Sequence, residues 1–188
     1  MDPIERVDSR VVYRNQWMVV REDDVRRPDG SPGIYGVVDK PTYALVIATD
    51  GERYHLVEQF RYPIGLRRWE FPQGTAPGTL TGVEPPPSEL AARELREETG
   101  LRAESMVVLG QLDVAPGMSS QRGWVFLATG ITEGDHEREH EEQDMRSQWF
   151  TGEELERMIV DGTITDAQTI AAWMLLRLAG FTGSGINS

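Results

Sequence analysis

The segment AARELREETG, residues 91–100, carries three glutamates and two arginines within ten residues and ends in a glycine. Ser88 ahead of it is a predicted helix N-cap and Gly100 a predicted helix end, so a helix is expected between them. Side chains three and four positions apart share one face of a helix. Glu94, Glu97 and Glu98 are therefore expected on the same side of this helix.

Two interpretations account for these clustered carboxylates. Glu94 and Glu98 are like charges one turn apart, which costs an isolated helix about 0.2–0.5 kcal/mol, and Arg93 can reach Glu97 at the i,i+4 spacing. The segment has no lysine to offset the remaining charge. It is either a solvated surface helix or a set of oxygen ligands for a hard cation such as Mg²⁺ or Mn²⁺. Spacing alone leaves both interpretations open.

Composition narrows the function classes. The chain has 188 residues, a net charge of −12 and no cysteine, so disulfides and thiolate metal sites are excluded. A protein that binds the nucleic-acid backbone in general would be basic, so we expect no general nucleic-acid binding from this acidic chain. An anionic substrate would need metal ions or local arginines. No run of 18 apolar residues and no apolar signal-peptide core occurs, so we expect no membrane span and a cytoplasmic protein.

The remaining segments predict a mixed fold. Residues 11–38 and 43–62 have the pattern of strands around turns, the second pair around Asp50-Gly51. Residues 105–115 and 123–131 are also predicted strands. Capping-box spacing predicts two C-terminal helices, opened by Thr151 with Glu154 and by Thr165 with Gln168. Helices that follow sheet elements indicate an α+β or α/β sandwich.

The segment RELREETGL, residues 93–101, matches the core of the Nudix box, and WEFPQG upstream resembles the entry to that box. The segments QFRYPIGLRRWEFPQG, APGMSSQ, HEEQDM and GTITDAQTIAAWMLL resemble the ADP-ribose pyrophosphatase branch of the Nudix hydrolases, as does the position of Pro116. The resemblance implies an α/β/α sandwich with a mixed central sheet. We expect an N-terminal β-strand extension over residues 1–40, a Nudix hydrolase domain over 41–180 and a flexible tail over 181–188.

The sequence departs from that family in three places. The segment between Gly74 and Arg93 is longer than usual, and Glu84 stands one residue too far from Arg93 to match the first glutamate of the box. Gln121 replaces an acidic residue that is frequent in the branch. Gln73 replaces a small residue common in ADP-ribose enzymes, and PQG is more similar to members that process RNA caps or polyphosphates.

The resemblance implies roles for individual residues. Glu94 and Glu98 would bind the metal, Glu97 would be a ligand or activate water, and the backbone carbonyl of Gln73 would add a ligand. Arg93 would orient Glu97. A charged loop supplies two further candidates for the catalytic base, Glu141 and then Glu142. Arg61 would bind phosphate or ribose, and the other expected substrate contacts are Trp69, Met118 and Gln121.

These roles predict a Mg²⁺- or Mn²⁺-dependent pyrophosphatase that cleaves ADP-ribose or a related nucleoside diphosphate sugar into a nucleoside monophosphate and a sugar phosphate. One alternative is a pyrophosphohydrolase acting on RNA 5′ ends or nucleotide polyphosphates. Another is a non-catalytic domain that senses a nucleotide. The resemblance also implies a homodimer whose N-terminal strands help to shape the partner's site.

Overall fold

The computed structural model describes residues 3–75, 84–135 and 144–180. The strands of this part of the chain are β1 Glu5–Arg14, β2 Val19–Arg26, β3 Pro32–Asp39, β4 Tyr43–Thr49, β5 Arg53–Arg61, β6 Leu66–Glu70, β7 Gln73–Thr75, β8 Arg102–Asp113, β9 Arg122–Thr132 and β10 Arg146–Thr151. The helices are α1 Pro87–Thr99, α2 Gly152–Val160 and α3 Ala167–Leu178, and a 3₁₀ turn spans Tyr62–Ile64.

The central sheet is mixed, as expected. Its order is β10-β5-β4-β9-β8, while β6 pairs with β5 and β7 pairs with β4. Strands β4 and β9 run parallel, and every other pair in this sheet is antiparallel. The predicted hairpin around Asp50-Gly51 is present as β4 and β5.

Strand β4 is buried on both faces, because each face is covered by helix. Successive strand side chains point to opposite faces. Leu45 and Ile47 pack in one core cluster with residues of α2 and α3, including Leu155 and Leu176. Ala44, Val46 and Ala48 pack in a second cluster with Leu90, Ala91 and Leu95 of α1. The expected α/β/α sandwich is confirmed.

The helix ends correct two predicted caps. Helix α1 begins at Pro87 with Pro86 at the N-cap position, so Ser88 lies inside the first turn. Proline fits there because the first helical N–H has no partner within the helix. The side chain of Asp166, and not Thr165, accepts from Thr169 N at the start of α3. The capping box of Thr151 and Glu154 is confirmed.

The first three strands form a separate antiparallel sheet in the order β1-β2-β3. Strand β1 is exposed along its whole length. The sheet is tied to the rest of the protein where β3 ends. Val38 N donates to Met118 O at 2.8 Å, and Ser119 Oγ donates to Val38 O at 3.0 Å. None of the helices in the described ranges is long and apolar enough to cross a membrane.

Candidate active site

Helix α1 brings two of the predicted metal ligands against strand β7. The side chains of Glu94 and Glu98 are 5 % and 1 % exposed, although both are carboxylates. Gln73 N donates to Glu98 Oε2 at 3.2 Å. Gly74 is packed so closely that a Cβ there would overlap the Glu94 carboxylate. Glycine at this position therefore makes the close approach of strand and helix possible.

Arg93 lies among the glutamates of the helix. Its guanidinium donates to Glu94 Oε1 at 2.8 Å and lies 3.3 Å from Glu97 Oε2, which confirms the expected i,i+4 contact. It also donates to Thr75 O at 3.3 Å, so it joins the helix to the end of β7. Arg93 thus fixes both carboxylates relative to the strand.

The donor set fits a hard divalent cation. Glu94 and Glu98 present only oxygen atoms, and burying two carboxylates side by side is costly without compensating positive charge. Glu94, Glu97 and Glu98 do not converge on one point in this conformation, contrary to the expectation from the sequence. Across residues 3–75, 84–135 and 144–180, no three acidic or histidine side chains are gathered tightly enough to hold a metal ion. One reason is that Arg93 pairs with both Glu94 and Glu97.

A cavity of about 440 Å³ opens beside β7. It is bounded by the β3–β4 connection, the β5–β6 hairpin, β7 and the start of α3. Its polar lining residues include Lys40, Tyr43, Arg61, Arg68, Glu70, Gln73, Gln121 and Asp166. Gln73, Gly74 and Thr75 line this cavity. Gln73 and Gly74 also contact Glu98 and Glu94 of α1, and Thr75 O accepts from Arg93, so the cavity adjoins the candidate metal site.

Glu70 is the most deeply buried carboxylate of the cavity wall, at 1 % exposure. Arg61 Nη2 lies 2.6 Å from Glu70 Oε1, and Arg61 Nε donates to Glu70 Oε2 at 3.2 Å. Burial raises the pKa of Glu70 to about 7 despite the opposing effect of Arg61, and the nearby charge of Asp166 raises it further. The pair therefore fixes the guanidinium of Arg61 at the cavity wall.

The side chain of Gln73 joins two carboxylates of the cavity. Its amide Nε2 donates to Asp166 Oδ2 at 3.2 Å and to Glu70 Oε2 at 3.4 Å. Asp166 also caps α3. Gln73 thus contacts Glu98 through its backbone and the opposite side of the cavity through its side chain, a connection that a small residue could not make.

Two of the four predicted substrate contacts line the cavity. Arg61 and Gln121 line the cavity, and Gln121 Nε2 donates to Pro41 O at 3.0 Å. Trp69 is partly buried and packs edge-to-face on Phe150 against the core, with 4.9 Å between ring centroids. Met118 is about half exposed and is outside the cavity lining. Arg61 and Gln121 therefore share the cavity, whereas Trp69 and Met118 lie outside its lining, and a substrate role for these two residues stays a prediction.

Glu141 and Glu142 lie outside the described residues. Glu84, which the box spacing left without a role, accepts from Thr42 N at 3.0 Å and is bound to the start of β4. Sequence reasoning missed Glu70, Asp166 and Tyr43. The hydroxyl of Tyr43 is buried and has no hydrogen-bond partner within the described residues. The one available signal was Glu70 within WEFPQG, a charged residue between two aromatic residues that are typical of a core.

Two family models match consecutive parts of this chain. Residues 4–38 match the nucleoside diphosphate sugar hydrolase N-terminal domain, and residues 39–173 match the NUDIX domain. An ADP-ribose pyrophosphatase of Mycobacterium tuberculosis is 38 % identical over 169 residues, which are 89 % of this chain and 80 % of that protein. An ADP-ribose pyrophosphatase of Bacillus subtilis is 30 % identical over 158 residues, 83 % of each chain.

A solved structure described as an ADP compounds hydrolase superposes with a TM-score of 0.81, covering 95 % of this chain and 94 % of that one. At 18 % identity it supports the fold alone. The sequence matches carry the assignment, because the NUDIX domain spans most of the chain and the M. tuberculosis relative aligns over most of both proteins. The chain therefore belongs to the Nudix family, and its expected class, a pyrophosphohydrolase, is confirmed.

Proposed function

We propose that this protein hydrolyses the phosphoanhydride bond of ADP-ribose or a related nucleoside diphosphate sugar, releasing a nucleoside monophosphate and a sugar phosphate. The observation that carries the proposal is the buried pair Glu94 and Glu98, placed against β7 where the cavity opens. The names of the M. tuberculosis and B. subtilis relatives support the substrate class.

The reaction needs a divalent cation, Mg²⁺ or Mn²⁺, which when bound neutralises phosphate oxygens and lowers the pKa of a bound water. Glu94 and Glu98 would hold it, with the backbone carbonyl of Gln73 as a further ligand. Glu97, held by Arg93, would be a ligand or accept a proton from the attacking water. Glu141, and then Glu142, are the other candidates for that base.

Arg61 is suited to bind the diphosphate. A guanidinium donates in a planar fork that matches two phosphate oxygens. Its pairing with the buried Glu70 fixes that fork while leaving the side chain 40 % exposed. Gln121, buried at the cavity wall, is a second proposed substrate contact.

A second function keeps support from one observation. The Gln73 side chain extends to Asp166. At the position of Gln73, a small residue is common in the ADP-ribose enzymes that this chain resembles. The PQG segment is more similar to members that process RNA caps or polyphosphates, so it favours a nucleotide polyphosphate or an RNA 5′ end as substrate. These substrates and nucleoside diphosphate sugars are separable by their products.

We also propose that the chain divides into an N-terminal extension, residues 1–40, and a hydrolase domain, residues 41–180. The matches at 4–38 and 39–173 support this division. The exposed β1 supports a homodimer, because Val7, Val11 and Tyr13 are each more than half exposed. Sedimentation at several concentrations tests it, and a strictly monomeric species would exclude it. A cytoplasmic location remains a prediction.

A substrate panel tests the main proposal. ADP-ribose, other nucleoside diphosphate sugars, nucleoside triphosphates and capped RNA are incubated with Mg²⁺, and products are identified by mass spectrometry. We expect AMP and ribose 5-phosphate from ADP-ribose. Preferred release of pyrophosphate or of a monophosphorylated RNA end would support the second function. Tight ligand binding without turnover of any substrate would indicate a sensing domain.

A further inference from the structure

The chain contains a single lysine, Lys40, beside eighteen arginines. This lysine lies in the lining of the candidate substrate cavity, where its side chain is partly buried. Its ammonium group loses solvation there, and the positive charge of Arg61 acts on it as well; in that order these two causes lower the pKa of Lys40. Two like charges therefore line the same cavity and act on each other.

The carboxylates around Lys40 are engaged elsewhere. Asp39, its neighbour in sequence, lies 2.7 Å from Arg21 Nε and accepts from Ser120 Oγ at 2.8 Å. Glu70, in the same cavity, is paired with Arg61. Within the described ranges, Lys40 forms no salt bridge.

Asp166, the other carboxylate of the cavity, accepts from Thr169 N at the start of α3 and from the amide of Gln73. Arg68, the third cation of the lining, donates to Thr165 Oγ1 at 2.8 Å and to the carbonyl of Arg67 at 2.9 Å, so it is fixed to the cavity rim. Lys40 and Arg61 line the same cavity, and the charge of Arg61 acts on that of Lys40.

A partly buried ammonium beside a guanidinium is unfavourable in the free protein and becomes favourable when an anion lies between them. Arg61 supplies a fixed planar fork, whereas a lysine is a compact charge with three rotatable donors that can follow oxygens in several positions. The arrangement matches an anion with several oxygen atoms and more than one charge.

We propose that Lys40 is a substrate-binding residue that, together with Arg61, holds the non-bridging oxygens of a diphosphate at the cavity wall. This inference rests on the proposed function for the identity of the substrate. It places the diphosphate between the β3–β4 connection and the β5–β6 hairpin, and the cleaved bond toward the glutamates of α1.

Because the chain has one lysine, acylation of a lysine side chain reports on this site alone. The intact protein is treated with acetic anhydride at low concentration, with and without inorganic pyrophosphate, and the acetylated peptides are quantified by mass spectrometry. The α-amino terminus is the internal reference. We expect pyrophosphate to slow acetylation of Lys40 by at least about tenfold while the terminal amine reacts at an unchanged rate. Equal rates with and without pyrophosphate would overturn the proposal.

Variants give an independent measurement. Lys40→Met is expected to raise KM by about 10- to 100-fold, because a hydrogen bond to a charged group is lost, with a smaller effect on kcat. Lys40→Arg should recover most of the affinity. Arg122→Met, which removes an equally charged but exposed side chain on β9, is the matched control and should leave KM unchanged. A Lys40→Met protein with unaltered KM would contradict the assignment.

The two proposals fail separately. If the wild-type protein hydrolyses a nucleoside diphosphate sugar but pyrophosphate gives no protection, the role of Lys40 is wrong and the proposed function stands. If pyrophosphate protects Lys40 but no such sugar is cleaved, the anion site stands and the substrate assignment is wrong.

Discussion

Arg61 and Glu70 form an ion pair across the β5–β6 hairpin, with 2.6 Å between Arg61 Nη2 and Glu70 Oε1. Glu70 is 1 % exposed, whereas the Arg61 side chain is 40 % exposed. The buried carboxylate of Glu70 thus holds the guanidinium of Arg61 at the cavity wall, while part of the guanidinium side chain stays exposed. This relationship explains how an acidic protein can present positive charge to an anionic substrate.

The pair predicts a pH dependence of stability. Burial raises the pKa of Glu70 from 4.5 to about 7, so this carboxylate binds a proton more tightly in the folded protein than in the unfolded chain. The contribution of this group to stability is present in full below pH 4.5 and is lost as the pH rises through 7. In Glu70→Gln the titration is removed.

Urea unfolding of the wild type and Glu70→Gln at a series of pH values measures this effect. The free energy of unfolding of the wild type should fall relative to that of the variant between pH 4.5 and 7. The difference between the two proteins cancels the titration of the other carboxylates. A difference that stays constant over this range would contradict the account.

Neutralising either buried glutamate of α1 should abolish most activity. Glu94→Gln and Glu98→Gln keep the shape of the side chain but remove a metal-binding charge, and we expect kcat to fall by about 100-fold or more, or roughly 3 kcal/mol of barrier. Glu89→Gln, an exposed glutamate on the same helix, is the control. Equal activity of Glu98→Gln and Glu89→Gln would exclude the assigned role.

Gly74 provides a steric test of the same site. In Gly74→Ala the new methyl group overlaps the Glu94 carboxylate, so strand or side chain must shift, at a cost of about 1–3 kcal/mol. We expect kcat to fall at least about tenfold in a folded protein, because a small displacement of a catalytic group is costly. Gly36→Ala, where a methyl group meets no atom within 4 Å, is the control for steady-state kinetics and circular dichroism.

Trp69 distinguishes core packing from substrate stacking. Its partly buried ring packs on Phe150 against the core cluster. Trp69→Ala should therefore lower the free energy of unfolding by about 3 kcal/mol and leave KM within about twofold under conditions where the protein is folded. A rise in KM with unchanged stability would restore Trp69 to the substrate site.

Local patterns predicted much of this structure from the sequence. Gly100 predicts the end of the helix that carries Glu94, Glu97 and Glu98, and Arg93 makes the contact with Glu97 that its spacing allows. The capping box of Thr151 was predicted for the same reason. Each of these features depends on residues within one helical turn, where geometry is fixed by the backbone.

The cavity could not be predicted in this way. Glu70, Gln73 and Asp166 meet because the order of strands places the β5–β6 hairpin and β7 beside the start of α3. Asp166 caps helix α3, a role that a local pattern can indicate. Its contact with Gln73 depends on the fold. Trp69 stands beside a motif, and the sequence gives no sign of which side of the sheet this aromatic residue faces.

Mn²⁺ binding, measured by electron paramagnetic resonance with ADP present, shows whether the glutamates of α1 hold a metal ion. We expect the wild-type protein and Glu89→Gln to bind the cation and Glu98→Gln to bind it at least about tenfold more weakly, because a charged ligand is lost. Equal binding by the wild type and Glu98→Gln, or none by the wild type, would contradict the claim that the glutamates of α1 hold the metal.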